Sequence, residues 1–168
     1  MKAKQYLETQ LAGMWHLQEA SLSAITDEIV MRVPSGTVSP IGVIWLHFLG
    51  SQDYYLEFLT GTPKIWKSEG WDKRFGVEET PGFGADWSTY HQLKIPVELL
   101  REYDQALHAF TQRVLDSTDD DTLDEPVQFF TDHDTKADIW ALYVDHTIHH
   151  FGEISALKGF FGGKGLPF

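Results

Sequence analysis

The sequence contains no cysteine. Disulfides, thiolate metal sites and a cysteine nucleophile are therefore excluded. A zinc-like site would have to be built from His, Asp or Glu, and any thiol in the chemistry would arrive with a cosubstrate. Positive charge is scarce: 13 Lys and Arg stand against 25 Asp and Glu, a formal net charge of −12. Such a chain repels phosphate backbones, which argues against DNA or RNA as a partner. It also offers no polybasic patch to anionic lipids. No apolar run is long. The strongest, from Pro40 to Gly50, falls far short of a bilayer span. The opening Met1-Lys2-Ala3-Lys4-Gln5 lacks the apolar stretch of a signal peptide. A cytoplasmic protein with neither nucleic-acid nor membrane partners is the expectation.

What the chain does have is apolar and aromatic content. Of its 168 residues 42% are hydrophobic and 14% aromatic, enough for a folded core without staples. One domain over residues 1–168 is expected.

Four segments carry helical periodicity. In the first, from about Lys4 to Thr26, Leu7, Leu11, Met14, Leu22 and Ile25 recur at helical spacing. Val33-Pro34-Ser35-Gly36-Thr37 breaks the pattern. The second begins at Ser39-Pro40, with Ser39 read as the N-cap and Pro40 in the first turn. It runs to about Leu59 and stops at Thr60-Gly61-Thr62-Pro63. The third starts at Pro96 and reaches Ser117. The fourth follows the cap Asp134-Thr135, continues to about Phe161 and ends at Gly162-Gly163-Lys164-Gly165. With no convincing strand, these predict an all-α fold, a four-helix bundle.

The connections differ in character. Residues 64–93 form a long aromatic-rich loop between the second and third helices, with Trp66, Trp71, Phe75, Phe83, Trp87 and Tyr90. It must pack down, with a short helix near Pro63 to Glu69, either as a satellite cluster or as the wall of a site. The acidic run Ser117 to Asp121 lacks the spaced glycine and terminal glutamate of a calcium loop and reads as a solvated linker.

Three of the eight histidines stand out by position. His146 and His150 are four apart on the fourth helix, so both imidazoles can address one ion. By spacing alone His146 and His149 could do the same. Projection at 100° per residue puts Ile139, Tyr143, Ile154, Leu157 and Phe161 in one stripe. His150 lies inside that stripe, His146 at its edge, and His149 toward the polar side. On the second helix the same projection places His47 with Ile44, Tyr54 and Phe58, and Asp53 and Glu57 opposite. Asp53 is thus a poor ligand, though free to bond elsewhere. A single core histidine is more often hydrogen-bonded than metal-bound. Three that face one core on two helices shift the balance, because buried imidazoles need partners. Three nitrogen donors with an open fourth position form the pattern of catalytic zinc, and imidazole also suits nickel, iron and copper. Glu153, three residues after His150, is the candidate catalytic residue. It can act as a general base, orient His150 or serve as a weak fourth ligand. His16, His91, His108 and His133 read as structural or surface residues.

Two segments resemble the DinB-like superfamily of YfiT-type metalloenzymes. Ile41 to Tyr55, with His47 after an apolar run, is similar to the family's second-helix pattern. His146-Thr147-Ile148-His149-His150-Phe151-Gly152-Glu153-Ile154 is similar to its fourth-helix motif. The resemblance implies an up-down-down-up four-helix bundle and a triad of His47, His146 and His150 holding zinc, nickel or a similar ion. It also implies a homodimer and a small-molecule substrate. Some relatives transfer low-molecular-weight thiols such as bacillithiol or mycothiol to electrophiles; others isomerise maleylpyruvate. The sequence departs from the motif at Phe151, where Arg is frequent, and at Glu153, where Gln is frequent. Three readings follow: a metal-dependent enzyme of the thiol-transferase or isomerase type, a non-catalytic metal- or ligand-binding stress-related protein, or a plain bundle that has lost metal binding and keeps its histidines hydrogen-bonded in the core.

Overall fold

A computed structural model of the chain describes residues 2–166; Met1, Pro167 and Phe168 lie outside the described residues. Four long helices dominate it: α1 (Ala3–Leu22), α3 (Ile41–Thr60), α6 (Val97–Ser117) and α8 (Lys136–Phe160). Short helices punctuate the connections: α2 (Asp27–Val30), α4 (Ile65–Ser68), α5 (Trp71–Phe75) and α7 (Asp120–Leu123), with a 3₁₀ turn at Trp87–Tyr90. The described residues contain no strand, only an isolated bridge between Pro126 and Thr135. The all-α expectation holds.

The most apolar helix is the central one. In α3, 15 of 20 residues are buried, including every residue from Ile41 to Gly50. A helix that is apolar on all sides must be surrounded, and α3 packs against both α8 and α6, while α1 packs on α8. Between α3 and α8, Phe48 meets Phe151, Gln52 bonds Thr147 and Tyr55 meets Tyr143. Rising numbers meet falling numbers, so the two helices are antiparallel. Between α1 and α6, Trp15 stacks on His108, Gln18 bonds Asp104 and Arg101 bonds the Leu22 carbonyl, again antiparallel.

Several sequence expectations need correction. The first helix stops at Leu22 rather than Thr26, because Ala24 takes a left-handed conformation (φ 59°). Lys158, only 2% exposed, caps that end by donating to the carbonyls of Ala20, Ser21 and Ser23. Ile25 kept the helical period because it is buried in the turn that follows. Ser39 is not an N-cap. Pro40 occupies the cap position of α3 without a side-chain bond, and Ser39 Oγ lies 3.1 Å from His91 Nε2. The acidic run is no plain linker either: Asp119 caps α7 at Thr122, and Asp120 accepts from the Lys4 amide. The fourth helix starts as read, with Thr135 and Asp138 forming a reciprocal capping box.

Both readings of residues 64–93 apply, each to one half. Trp66, Trp71 and Phe75 close around Tyr103 of α6 as a satellite cluster. Residues 80–90 fold back over α3 instead.

Candidate metal centre

His47 reaches the site from the middle of α3, and His146 and His150 from successive turns of α8. Their Nε2 atoms converge. His146 Nε2 lies 3.2 Å from that of His47 and 3.2 Å from that of His150. One ligand atom from each of the three falls within 4.8 Å of the other two. The structure therefore brings together all three residues that the helical projection selected. It leaves out His149, an exposed residue facing Asp145 at 3.5 Å.

Two of the imidazoles have their tautomer set from behind. His47 Nδ1 donates to the Pro81 carbonyl at 2.5 Å, and a carbonyl can only accept. His150 Nδ1 donates to Glu153 Oε2 at 2.6 Å. That hydrogen bond holds the Glu153 carboxyl below the usual carboxylate range, so it accepts as an anion. Both rings therefore present a bare lone pair at Nε2. Protonation does not relieve the crowding. Burial lowers the pKa of His47 to about 4, and burial with the neighbouring imidazoles lowers that of His146 to about 3. At neutral pH two bare lone pairs face His146 Nε2, which can carry one proton at most between them, while His146 Nδ1 is buried without a partner.

A cation is the group that such a cluster fits. Nitrogens ~2.0–2.1 Å from one tetrahedral ion sit a little over 3 Å apart, which matches the two 3.2 Å separations. The donor set is all nitrogen, and two ligands carry the acceptors that metal-bound histidines commonly have on their other ring nitrogen. These three residues can thus hold a metal ion.

One approach to the site is closed. The Trp87 ring lies 4.3 Å from that of His47, and Trp87 Nε1 donates to the Gly82 carbonyl. Gly50 lets this segment descend onto α3: a Cβ there would meet Thr80 Oγ1 at 2.1 Å. Sequence reasoning identified the aromatic density of the loop but not Pro81, since a backbone carbonyl has no signature. Gly50 inside an apolar helix was the available sign of a close approach.

The DinB superfamily model matches residues 10–154, a span containing all three histidines. The chain belongs to the DinB superfamily. The fold agrees: a conserved protein from Enterococcus faecalis, known from its crystal structure, superposes with a TM-score of 0.81. The match covers 96% of this chain and 99% of that one at 19% identity. No functionally curated protein matches the sequence. Against the DinB motif, Phe151 is a core residue packed edge-to-face on Phe48, so its ring does not face the metal side. Glu153 sits behind His150 rather than among the converging nitrogens. The remaining histidines are dispersed: His108 stacks on Trp15, and His91 pairs with Ser39. Among the described residues no helix is long and apolar enough to cross a membrane.

Proposed function

We propose that this DinB-superfamily protein is a metal-dependent enzyme that joins a low-molecular-weight thiol to an electrophile. The observation that supports it is the convergence of three Nε2 atoms, two with fixed tautomers, with no His, Asp or Glu of the described residues joining them as a fourth. A divalent ion held there would supply positive charge that favours the deprotonated form of a thiol or water. Zinc and nickel suit the all-imidazole donor set best, with iron also compatible. The absence of cysteine fits a nucleophile brought in from solution.

The chain's own residues would do the following. His47, His146 and His150 bind the ion. The Pro81 carbonyl and Glu153 orient His47 and His150. The proton of the incoming S–H passes by way of solvent to Glu153, more than half exposed behind His150. The sulfur lone pair then forms the C–S bond, and the leaving group departs with its electron pair. The −12 charge favours small substrates over nucleic acid. Working as a homodimer in the cytoplasm is part of the same reading.

The test is a transfer assay with tag-free, zinc- or nickel-loaded protein, a simple thiol and a chromogenic aryl halide. The reading expects a rate above the uncatalysed reaction that disappears in His47→Ala. A loaded protein with no rate above background supports the non-catalytic metal binder instead.

A further inference from the structure

The large apolar side chains left exposed in this protein include Tyr54, Phe83 and Phe130. All three sit on the elements around the triad. Phe83 lies between Pro81 and Trp87, which both contact His47. Tyr54 and Phe130 belong to a continuous aromatic cluster that reaches His146 itself. The Tyr55 ring lies edge-on to the His146 imidazole, centroids 5.9 Å apart. Phe129 lies 6.1 Å from Tyr55 and packs edge-on against Phe58, and Phe130 lies 4.3 Å from Phe129. Phe130 is 78% exposed although it is joined to this cluster. An exposed aromatic surface that is continuous with a buried site is a place for a ligand.

The three rings are not equally covered. His47 is 7% exposed and covered by Pro81 and Trp87, whereas His146 and His150 are only half-buried. An incoming group therefore meets less cover on the α8 side, where the Tyr55 ring adjoins His146.

Charge narrows the choice of ligand. The charged groups that act on His47 and His146 are the other imidazoles and Glu153, with no lysine or arginine among them. Asp145 and Glu153 flank the two α8 ligands. In residues 64–93, Lys64 and Lys67 both pair with Glu79 and Arg74 pairs with Glu102, while Lys73 belongs to α5, whose Trp71 and Phe75 close on Tyr103 of α6. A carboxylate or phosphate beside the two α8 ligands would have Asp145 and Glu153 as acidic neighbours.

We propose that the open side of the triad takes a neutral ligand bearing a flat aromatic group, seated against Tyr55, Phe129 and Phe130, and discriminates against ligands that carry an anionic substituent. This specificity rests on the metal-binding reading and is independent of whether the nucleophile is a thiol.

Hydroxamates test it, because they ligate divalent ions at open positions and contain no sulfur. Tag-free protein is loaded with Co²⁺, and its visible absorption is titrated with acetohydroxamate, benzohydroxamate and 4-carboxybenzohydroxamate. Benzohydroxamate should bind roughly tenfold more tightly than acetohydroxamate, the size expected of one or two aromatic contacts. The carboxylated analogue should fall back to the acetohydroxamate level or below. Phe129→Ala should reduce the benzo-to-aceto ratio at unchanged cobalt content. Phe130→Ala, at an exposed position that cannot unfold the core, should reduce it in the same direction. Equal affinity for the first two ligands, tighter binding of the carboxylated one, or an unchanged ratio in both variants overturns the proposal. So does a spectrum that responds to none of the three. A selective hydroxamate response with a silent thiol-transfer assay would retain this specificity and discard only the thiol chemistry.

Discussion

Six residues apart on α3, His47 and Asp53 are both buried polar side chains, and their surroundings have opposite character. Asp53 is wholly enclosed, at 0% exposure. It accepts from the amides of Ile65 at 3.0 Å and Trp66 at 2.8 Å and from the Tyr103 hydroxyl at 2.9 Å. Burial raises its pKa, and all three hydrogen bonds oppose that rise. Every donor has an acceptor, and nothing more is required. His47 has its Nδ1 satisfied by Pro81, but its Nε2 faces the ring nitrogen of His146, which His150 addresses as well. His146 Nδ1 is buried with no partner at all. A complete polar cluster reads as architecture. An incomplete one whose atoms converge reads as a site, because buried polar groups are paired in nearly every folded protein.

The comparison predicts different consequences of mutation at its two ends. Asp53→Ala strands two buried amides and a phenol and should cost roughly 3–5 kcal/mol in denaturant unfolding, while the molecules that remain folded still bind metal. His146→Ala should do the reverse: metal binding is lost, with a much smaller effect on the unfolding of the metal-free protein. Equal destabilisation by the two would erase the distinction.

Gly50→Ala probes the link between covering loop and triad. The new Cβ has no room beside Thr80, so the loop must lift and take the Pro81 carbonyl from His47. A cost of about 1–3 kcal/mol is expected for the overpacking. A weaker metal affinity by competition with a chelator should accompany it. Unchanged affinity would show that Pro81 has no role in holding His47.

Glu153→Ala should weaken metal binding by roughly 10–100-fold, the usual cost of removing a partner of a ligand histidine, with the unfolding curve hardly moved. Glu153→Gln keeps an acceptor for His150 and should lose less. If both variants retain wild-type affinity but lose thiol transfer, Glu153 acts on protons alone.

Acid should act on the metal-free protein through the same histidines. His47 and His146 have folded pKa values of about 4 and about 3, below the ordinary 6.5. The unfolded chain therefore binds more protons between these limits. The stability the two residues contribute is present above pH 6.5 and is lost as pH falls toward 4 and 3. Asp104 has the opposite sign: burial raises its pKa to about 6. It favours folding at low pH, and that contribution is lost as pH rises through 6. A melting series from pH 8 to 4 should show the decline become shallower in the His47→Ala/His146→Ala double variant and steeper in Asp104→Asn.

The long helices and the triad were legible in the sequence because each rests on periodicity. His146 and His150 share a face by spacing, and His149 was set aside by the same projection. What periodicity missed was tertiary. Asp53 was assigned to a polar side, but α4 and α6 cover that side of α3 and bring donors to it. Tyr54 was placed beside His47, whereas Tyr55 is the ring that meets His146. The end of α1 depends on Lys158, distant in sequence. Pro81 acts through its backbone, which no residue pattern encodes.

Metal content tests the central claim most directly. Wild-type protein and the three single variants His47→Ala, His146→Ala and His150→Ala would be purified without an affinity tag, equilibrated with one divalent metal and measured by elemental analysis. One equivalent per wild-type chain, with none retained by any of the three variants, is the result expected of a shared three-histidine centre. Wild-type metal content in His47→Ala would contradict it, since the two helices would then not meet at one ion.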